Sequence, residues 1–285
     1  MLKVKNLFKV YKNAKYISAR NVSFEVREGE IFGFLGVNGA GKSTTIKCIT
    51  GIIPYTAGKI EICGFDIKDD PFNAKRSFGF VPDNHAVYDK LTGSEYISYI
   101  ASLYKVPKEE YQGRFDRLVE KFNLKNSINN QIMSYSHGMK QKISIIGALI
   151  HEPKLWILDE PMVGLDPQSI LDVKNYMREY AESGNSVIFS SHALDTVEKL
   201  CDRALIIHGG TVIALIDLKE YQEKGLSLED EFMRLTKEAR IKIDKVRADL
   251  LKEEEELSQK MGKRKAGKAI QKKIHDEVFK EMEAI

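Results

Sequence analysis

Nine residues, GVNGAGKST at positions 36 to 44, restrict what this chain can become more than any other stretch. They satisfy G-x-x-x-x-G-K-[ST] in the context that pattern requires, with the apolar run IFGFL before them and the helix-compatible TTIKCIT overlapping their end. Gly36, Gly39 and Gly41 let the main chain curl with its N–H groups inward, and a following helix N-terminus adds positive potential, which together suit phosphate. Lys42 would reach the β- and γ-phosphates and the Ser43 hydroxyl would ligate Mg²⁺, with Asn38, Ala40 and Thr44 in the same loop.

The rest of the pattern builds a frame around that loop. LKVKNLFKVY, NVSFEVREGE, IFGFLG and GKIEICG in the first sixty or so residues read as strands, β-branched or aromatic and punctuated by Gly or Asn. From about residue 93, SEYISYIASLY and YQGRFDRLVEKF carry apolar residues at helical spacing. Apolar strands return at KLWILDE, NSVIFSS and RALIIHGGTVIALI, the last a hairpin signal around its Gly-Gly turn. The expected class is therefore α/β: a phosphate-loop core on a parallel sheet covered on both faces, an antiparallel β subdomain, and a helical insert at about residues 84–150.

From residue 237 to 285 about half of the residues are charged, in EEEE and then KRKAGKAIQKK. Ile243, Val246, Leu250, Leu257, Ile270, Ile274 and Val278 form a sparse apolar stripe there, which predicts a charged helical extension, in one piece or broken around Gly262 and Gly267. The main domain is accordingly placed at residues 1–236.

Composition excludes several classes. The 44 basic and 41 acidic residues nearly cancel to +3, so nothing argues for a nucleic-acid partner. No apolar run approaches the roughly 18 residues of a membrane helix, and MLKVKNLFKVYK lacks a signal-peptide core, so a cytoplasmic location is expected. Cys48, Cys63 and Cys201 have neither metal-ligand spacing nor an even count, and read as buried small hydrophobes.

LWILDE completes the chemistry of the phosphate loop. An apolar strand ending in two carboxylates would deliver Asp159 to the Mg²⁺ sphere and Glu160 to a place where it could polarise an attacking water.

With those residues in hand, the order of motifs over residues 1–236 resembles the ATP-binding subunits of ABC transporters. VPDNHAVYDKLT stands at the family's Gln loop, YSHGMKQK at its signature, GLDP at its D-loop and SSHALDTVEKLCDRALII at its switch histidine. The resemblance implies a two-fold head-to-tail dimer holding two ATP molecules, with Ser136 and Gly138 of one chain capping the γ-phosphate bound by the other. A hydroxyl and N–H groups at a helix start suit an anion, and Lys140 and Lys142 would add positive potential. It further implies that Tyr11 stacks on adenine, with Tyr16 as a nearby competitor, that His192 contacts the γ-phosphate unless it merely caps a helix, and that Asp166 organises the dimer interface.

Departures from the family pattern are specific. His137 replaces a signature glycine, Tyr135 the leading leucine and Met139 the glutamine. An outward-pointing His137 is expected ahead of a pH-sensitive group near the γ-phosphate. Asp83 stands where the family has Gln or Glu, and its shorter reach points to a water-mediated contact with Mg²⁺.

The resemblance also implies a separate multi-span membrane subunit, docked beside NHAVYDKLTGSEYISYIASLY, and so a place at the cytoplasmic face of the cell membrane. GVNGAGKSTT, YSHGMKQK, PMVGLDP and SLEDEFMRLT look most like ATPases of bacterial exporters for drugs, antimicrobial peptides and phenol-soluble-modulin-type peptides. A soluble ABC-type ATPase of translation or repair is the alternative; those carry two nucleotide domains or a long inserted coiled coil, which this sequence lacks.

Overall fold

The computed structural model describes residues 1–11, 17–84 and 87–241, with isolated positions beyond; Tyr16 and the apolar stripe of the charged extension lie outside the described residues. The strands are β1 (Leu2–Lys9), β2 (Ala19–Val26), β3 (Ile31–Leu35), β4 (Ala57–Ile62), β5 (Phe65–Asp66), β6 (Phe78–Val81), β7 (Leu155–Leu158), β8 (Ser186–Ser191), β9 (Arg203–His208) and β10 (Thr211–Asp217). Among the described residues the bounded helices are α1 (Lys42–Ile49), α2 (Pro71–Arg76), α3 (Gly93–Leu103), α4 (Lys108–Lys121), α5 (His137–Leu149), α6 (Pro167–Glu182), α7 (Leu194–Leu200) and α8 (Leu218–Glu223), and residues 228–241 are helical as well. Among the described residues no helix is long and apolar enough to cross a membrane.

The chain forms two compact units, one of Met1–Leu2, Val26–Gly33 and Ile62–Ser191, the other of Lys3–Glu25, Phe34–Glu61 and the described residues from His192 onward. In the first, β6, β7 and β8 run parallel, Phe78 opposite Leu155 and Leu155 opposite Ser186. Every residue of β7 and β8 is buried, the pattern of strands covered on both faces. Trp156 of β7 is fully buried and meets Tyr176 and Tyr180 of α6 edge-on, at 5.8 and 5.7 Å between ring centres. Gly79 in β6 has a packing reason, since a Cβ there would lie 2.0 Å from the Ala148 carbonyl oxygen of α5.

The second unit holds β2, β1 and β4 in that order, with alternating buried and exposed residues along β2. β9 and β10 are antiparallel, and the two residues between His208 and Thr211 are Gly209 and Gly210 at φ 56° and 81°, the left-handed pair that a type I′ hairpin demands. Cys48 and Cys201 are buried as expected. Cys63 is not: it is half-buried, its Sγ 3.2 Å from the Met1 sulfur.

Candidate functional site

The phosphate loop follows β3, whose five residues are all buried, so strand packing fixes where the loop begins. A Cβ on Gly36 would lie 2.5 Å from the Ile207 carbonyl oxygen, and one on Gly41, at φ +108°, would lie 2.6 Å from that of Ser18. Glycine is required at both positions because backbone passes where a side chain would stand. Gly41 caps α1 without a side-chain acceptor, which keeps the helix start a donor surface for an anion. Lys42 is buried and its Nζ donates to the Gly36 carbonyl at 2.6 Å and to that of Val37 at 3.4 Å, holding the ammonium across the loop. Ala40 is buried, Asn38 and Gly39 are exposed, and Ser43 and Thr44 are part-exposed on the first turn of α1. The cradle, the buried ammonium and the hydroxyl beside it are a donor set that fits a phosphate chain and its Mg²⁺.

Tyr11, two residues beyond β1, is 42% exposed and Lys9 Nζ sits 4.7 Å from its ring centre, so the ring is a surface platform rather than core. His192 is exposed between β8 and α7, and the cap of α7 is Ala193, so the histidine is not a simple helix cap.

In the first unit, β7 delivers Asp159 fully buried, its Oδ1 accepting a 2.6 Å hydrogen bond from the Ser190 hydroxyl. The same Ser190 Oγ accepts from the Glu160 backbone N–H at 2.9 Å. Glu160 has φ +48°, a left-handed conformation uncommon for a non-glycine residue, so the chain turns sharply where the strand ends. Ser190 thus sets the orientation of both carboxylate residues, a role that sequence alone does not reveal, since the SS before His192 reads only as the end of a strand. Asp83 is exposed and its Oδ1 accepts from the Asn84 N–H at 2.9 Å, so the carboxylate is engaged by its own neighbour.

At the start of α5, Ser136 is the cap, exposed, with Oγ accepting from the Met139 N–H at 3.3 Å. Tyr135 is buried and its hydroxyl donates to the Ser127 carbonyl at 2.6 Å, which lets a tyrosine stand in for leucine. Gly138 lies next to the segment after β7: a Cβ there would be 3.6 Å from Asp166 Oδ2. Asp166 caps α6, Oδ1 accepting from the Ser169 N–H at 3.0 Å and Oδ2 from its hydroxyl at 2.6 Å, and those bonds hold its carboxyl below the usual range.

Two expectations need correction here. Lys140 pairs with Asp89 at 2.7 Å and Lys142 with Asp172 at 3.3 Å, so their charge is largely offset by carboxylates rather than added to the helix start. His137 is exposed but does not simply point outward: its Nε2 lies 3.2 Å from the Val163 carbonyl oxygen.

Among the described residues of the segment anticipated as a docking surface, Tyr96, Ile97 and Ala101 of α3 are core. Tyr88, Tyr99 and Leu103 are 55%, 42% and 58% exposed, with Tyr88 and Tyr99 edge-to-face at 5.6 Å. An apolar surface of this kind on a helical segment suits a protein partner.

Comparison with known proteins agrees with this geometry. A family model described as ABC transporter matches residues 19–163. The chain is 39% identical over 215 residues to the linearmycin resistance ATP-binding protein LnrL of Bacillus subtilis (strain 168), covering 75% of this chain and 68% of that one. It is 38% identical over 223 residues to the ABC-type transporter ATP-binding protein EcsA of the same organism, covering 77% and 90%. Among solved structures it resembles an ATP binding subunit of an ABC transporter, with a TM-score of 0.77 at 36% identity over 83% of this chain and 99% of that one.

Proposed function

The chain belongs to the ABC transporter ATP-binding family and is an ATP hydrolase, and from that premise we propose that it powers an exporter as a head-to-tail dimer on a separate multi-span membrane subunit at the cytoplasmic face of the membrane. The observation that carries the dimer is the exposed start of α5, where the Ser136 hydroxyl and the backbone of Gly138 stand at a capped helix N-terminus. Such a start favours an anion, and in a head-to-tail pair the anion is the γ-phosphate held by the other chain. Similarity to a linearmycin resistance protein supports an amphipathic drug or peptide as cargo.

ATP with Mg²⁺ supplies a phosphoryl group whose transfer to water needs positioning and charge neutralisation more than covalent help. Tyr11 offers its exposed ring to the adenine. Backbone N–H groups of Gly39, Ala40 and Gly41 would bind phosphate oxygens beside Asn38, and the Lys42 ammonium, held at the Gly36 and Val37 carbonyls, would pair with the β- and γ-phosphates. The Ser43 hydroxyl and the Asp159 carboxylate would hold Mg²⁺, with Asp83 acting through water, and the Ser190 hydroxyl donates to the Asp159 carboxylate at 2.6 Å, which fixes its orientation. Glu160 accepts the proton of the attacking water, and His192 and the partner's signature complete the donor set around the γ-phosphate.

Glu160→Gln should lower turnover by about 10²–10⁴ while ATP binding persists. The test purifies the tagged chain from its native membrane, identifies the multi-span protein that accompanies it and assays Mg-ATP hydrolysis with and without that protein. Stimulation by the membrane protein, with dimers trapped by ATP in Glu160→Gln, supports the reading. Full activity without any membrane partner, or no ATP-dependent dimer in that variant, would overturn it.

A further inference from the structure

The segment from Pro161 to Asp166 leaves β7 and enters α6, and α5 grips it with two side chains one helical turn apart. Gln141, buried, donates from Nε2 to the Pro161 carbonyl at 3.0 Å, and His137 Nε2 lies 3.2 Å from the Val163 carbonyl. Residues four apart share a helix face, so the two contacts take alternate carbonyls of the same loop. A carbonyl only accepts, so the proton of this hydrogen bond sits on His137 Nε2. Next along the loop is Gly164, at φ +75°, where a Cβ would be 2.8 Å from His137 Nε2 and 3.0 Å from Cδ2. The imidazole therefore lies where the side chain of residue 164 would be: ring and glycine are complementary.

The loop is held at both ends by other means. Glu160 is tied through its N–H to Ser190, and Asp166 caps α6. Between them the loop has its own turns, Val163 N–H to the Glu160 carbonyl at 3.3 Å and Leu165 N–H to that of Met162 at 3.4 Å, and His137 joins Gln141 as a side chain of α5 that fastens those turns to the helix. His137 sits at a position where phosphate recognition by backbone needs no side chain.

We propose that His137 is a positioning residue that locks residues 161–166 onto the start of α5, so that Ser136, Gly138 and Asp166 meet the second chain as one rigid surface. The presentation to a second chain rests on the dimer reading above; the lock itself does not.

The experiment has one arm for each. In the isolated chain, amide hydrogen exchange at Val163 and Leu165 should be faster in His137→Ala than in wild type and restored in His137→Gln, whose amide can donate at similar reach. Unchanged exchange would overturn the lock. In the complex with its membrane protein, His137→Ala should lower kcat about tenfold with KM for ATP within about twofold of wild type, and His137→Gln should recover at least half the rate. Faster exchange with unchanged kcat, or a Gln variant as slow as Ala, would overturn the positioning role. A cycle with Gly164→Ala adds a structural check: that change should cost less turnover in His137→Ala than in wild type, and strictly additive losses would deny the contact. If the wild-type complex is itself inactive, the dimer reading fails, while the exchange arm still decides the lock.

Discussion

At the scale of single residues, one serine hydroxyl joins the two neighbouring carboxylate residues proposed to bind the metal and to activate water. Ser190 Oγ donates to Asp159 and accepts from Glu160, so Ser190→Ala leaves a fully buried carboxylate without that donor and a strained residue without its anchor. The loss of such a buried bond to a charged group is worth about 1–3 kcal/mol. We expect Ser190→Ala to reduce both the unfolding midpoint and kcat, and Ser190→Thr to retain most of each; a denaturant titration and a steady-state assay check this. Ser190 was illegible in the sequence because a serine near a strand end carries no chemical signature until its strand is set beside another. GVNGAGKST and LWILDE were legible because spacing and flanking strands restrict the geometry before any tertiary contact forms. Lys140 and Lys142 show the converse: the sequence displays their charge, while only the fold brings Asp89 and Asp172 against them.

At the scale of elements, His151 joins three. It follows α5, stacks on Tyr104 beyond α3 at 3.7 Å and 10°, and its Nε2 lies 3.1 Å from the Phe78 carbonyl of β6. Burial pushes its pKa from 6.5 down to about 4, with the charges of Arg114 and Arg76 acting in the same direction against the Phe78 hydrogen bond. Between those values the unfolded chain takes up a proton that the folded chain resists. Stability attributable to this residue is therefore complete above pH 6.5 and declines towards pH 4, by up to about 3 kcal/mol. Urea midpoints measured across that window should fall with pH in wild type and less steeply in His151→Gln; equal slopes would count against it. The element pattern itself was only partly readable. The Gly-Gly hairpin of β9 and β10 and the helices α3 and α4 follow from turn chemistry and period, whereas β6 is four residues with a glycine in the middle, too short to register a period. Gly79 weakens the strand signal there, yet it is required because α5 approaches so closely. The start of α6 carries a readable cap in Asp166 and Pro167, yet those residues also match the D-loop, and only the structure shows that they begin a helix.

At the scale of the whole molecule, the transport reading predicts that partner coupling and basal hydrolysis separate. Leu103→Asp, at an exposed position of α3, should abolish stimulation by the membrane protein and leave unstimulated turnover within about twofold, since a charge in an apolar docking face resists desolvation. ATPase assays with and without the membrane protein measure both quantities; loss of both together would place Leu103 in the fold rather than at the interface. The tie between Lys42 and the Gly36 carbonyl bears on this scale as well. A loop held in shape by its own ammonium has given up part of its backbone freedom when the chain folds, so arriving nucleotide exchanges the carbonyl contacts of Lys42 for its phosphates and has less backbone left to order. On the transport reading, that ordering penalty is met when the chain folds instead of at each binding event, which leaves more of the nucleotide's binding free energy for work on the membrane partner.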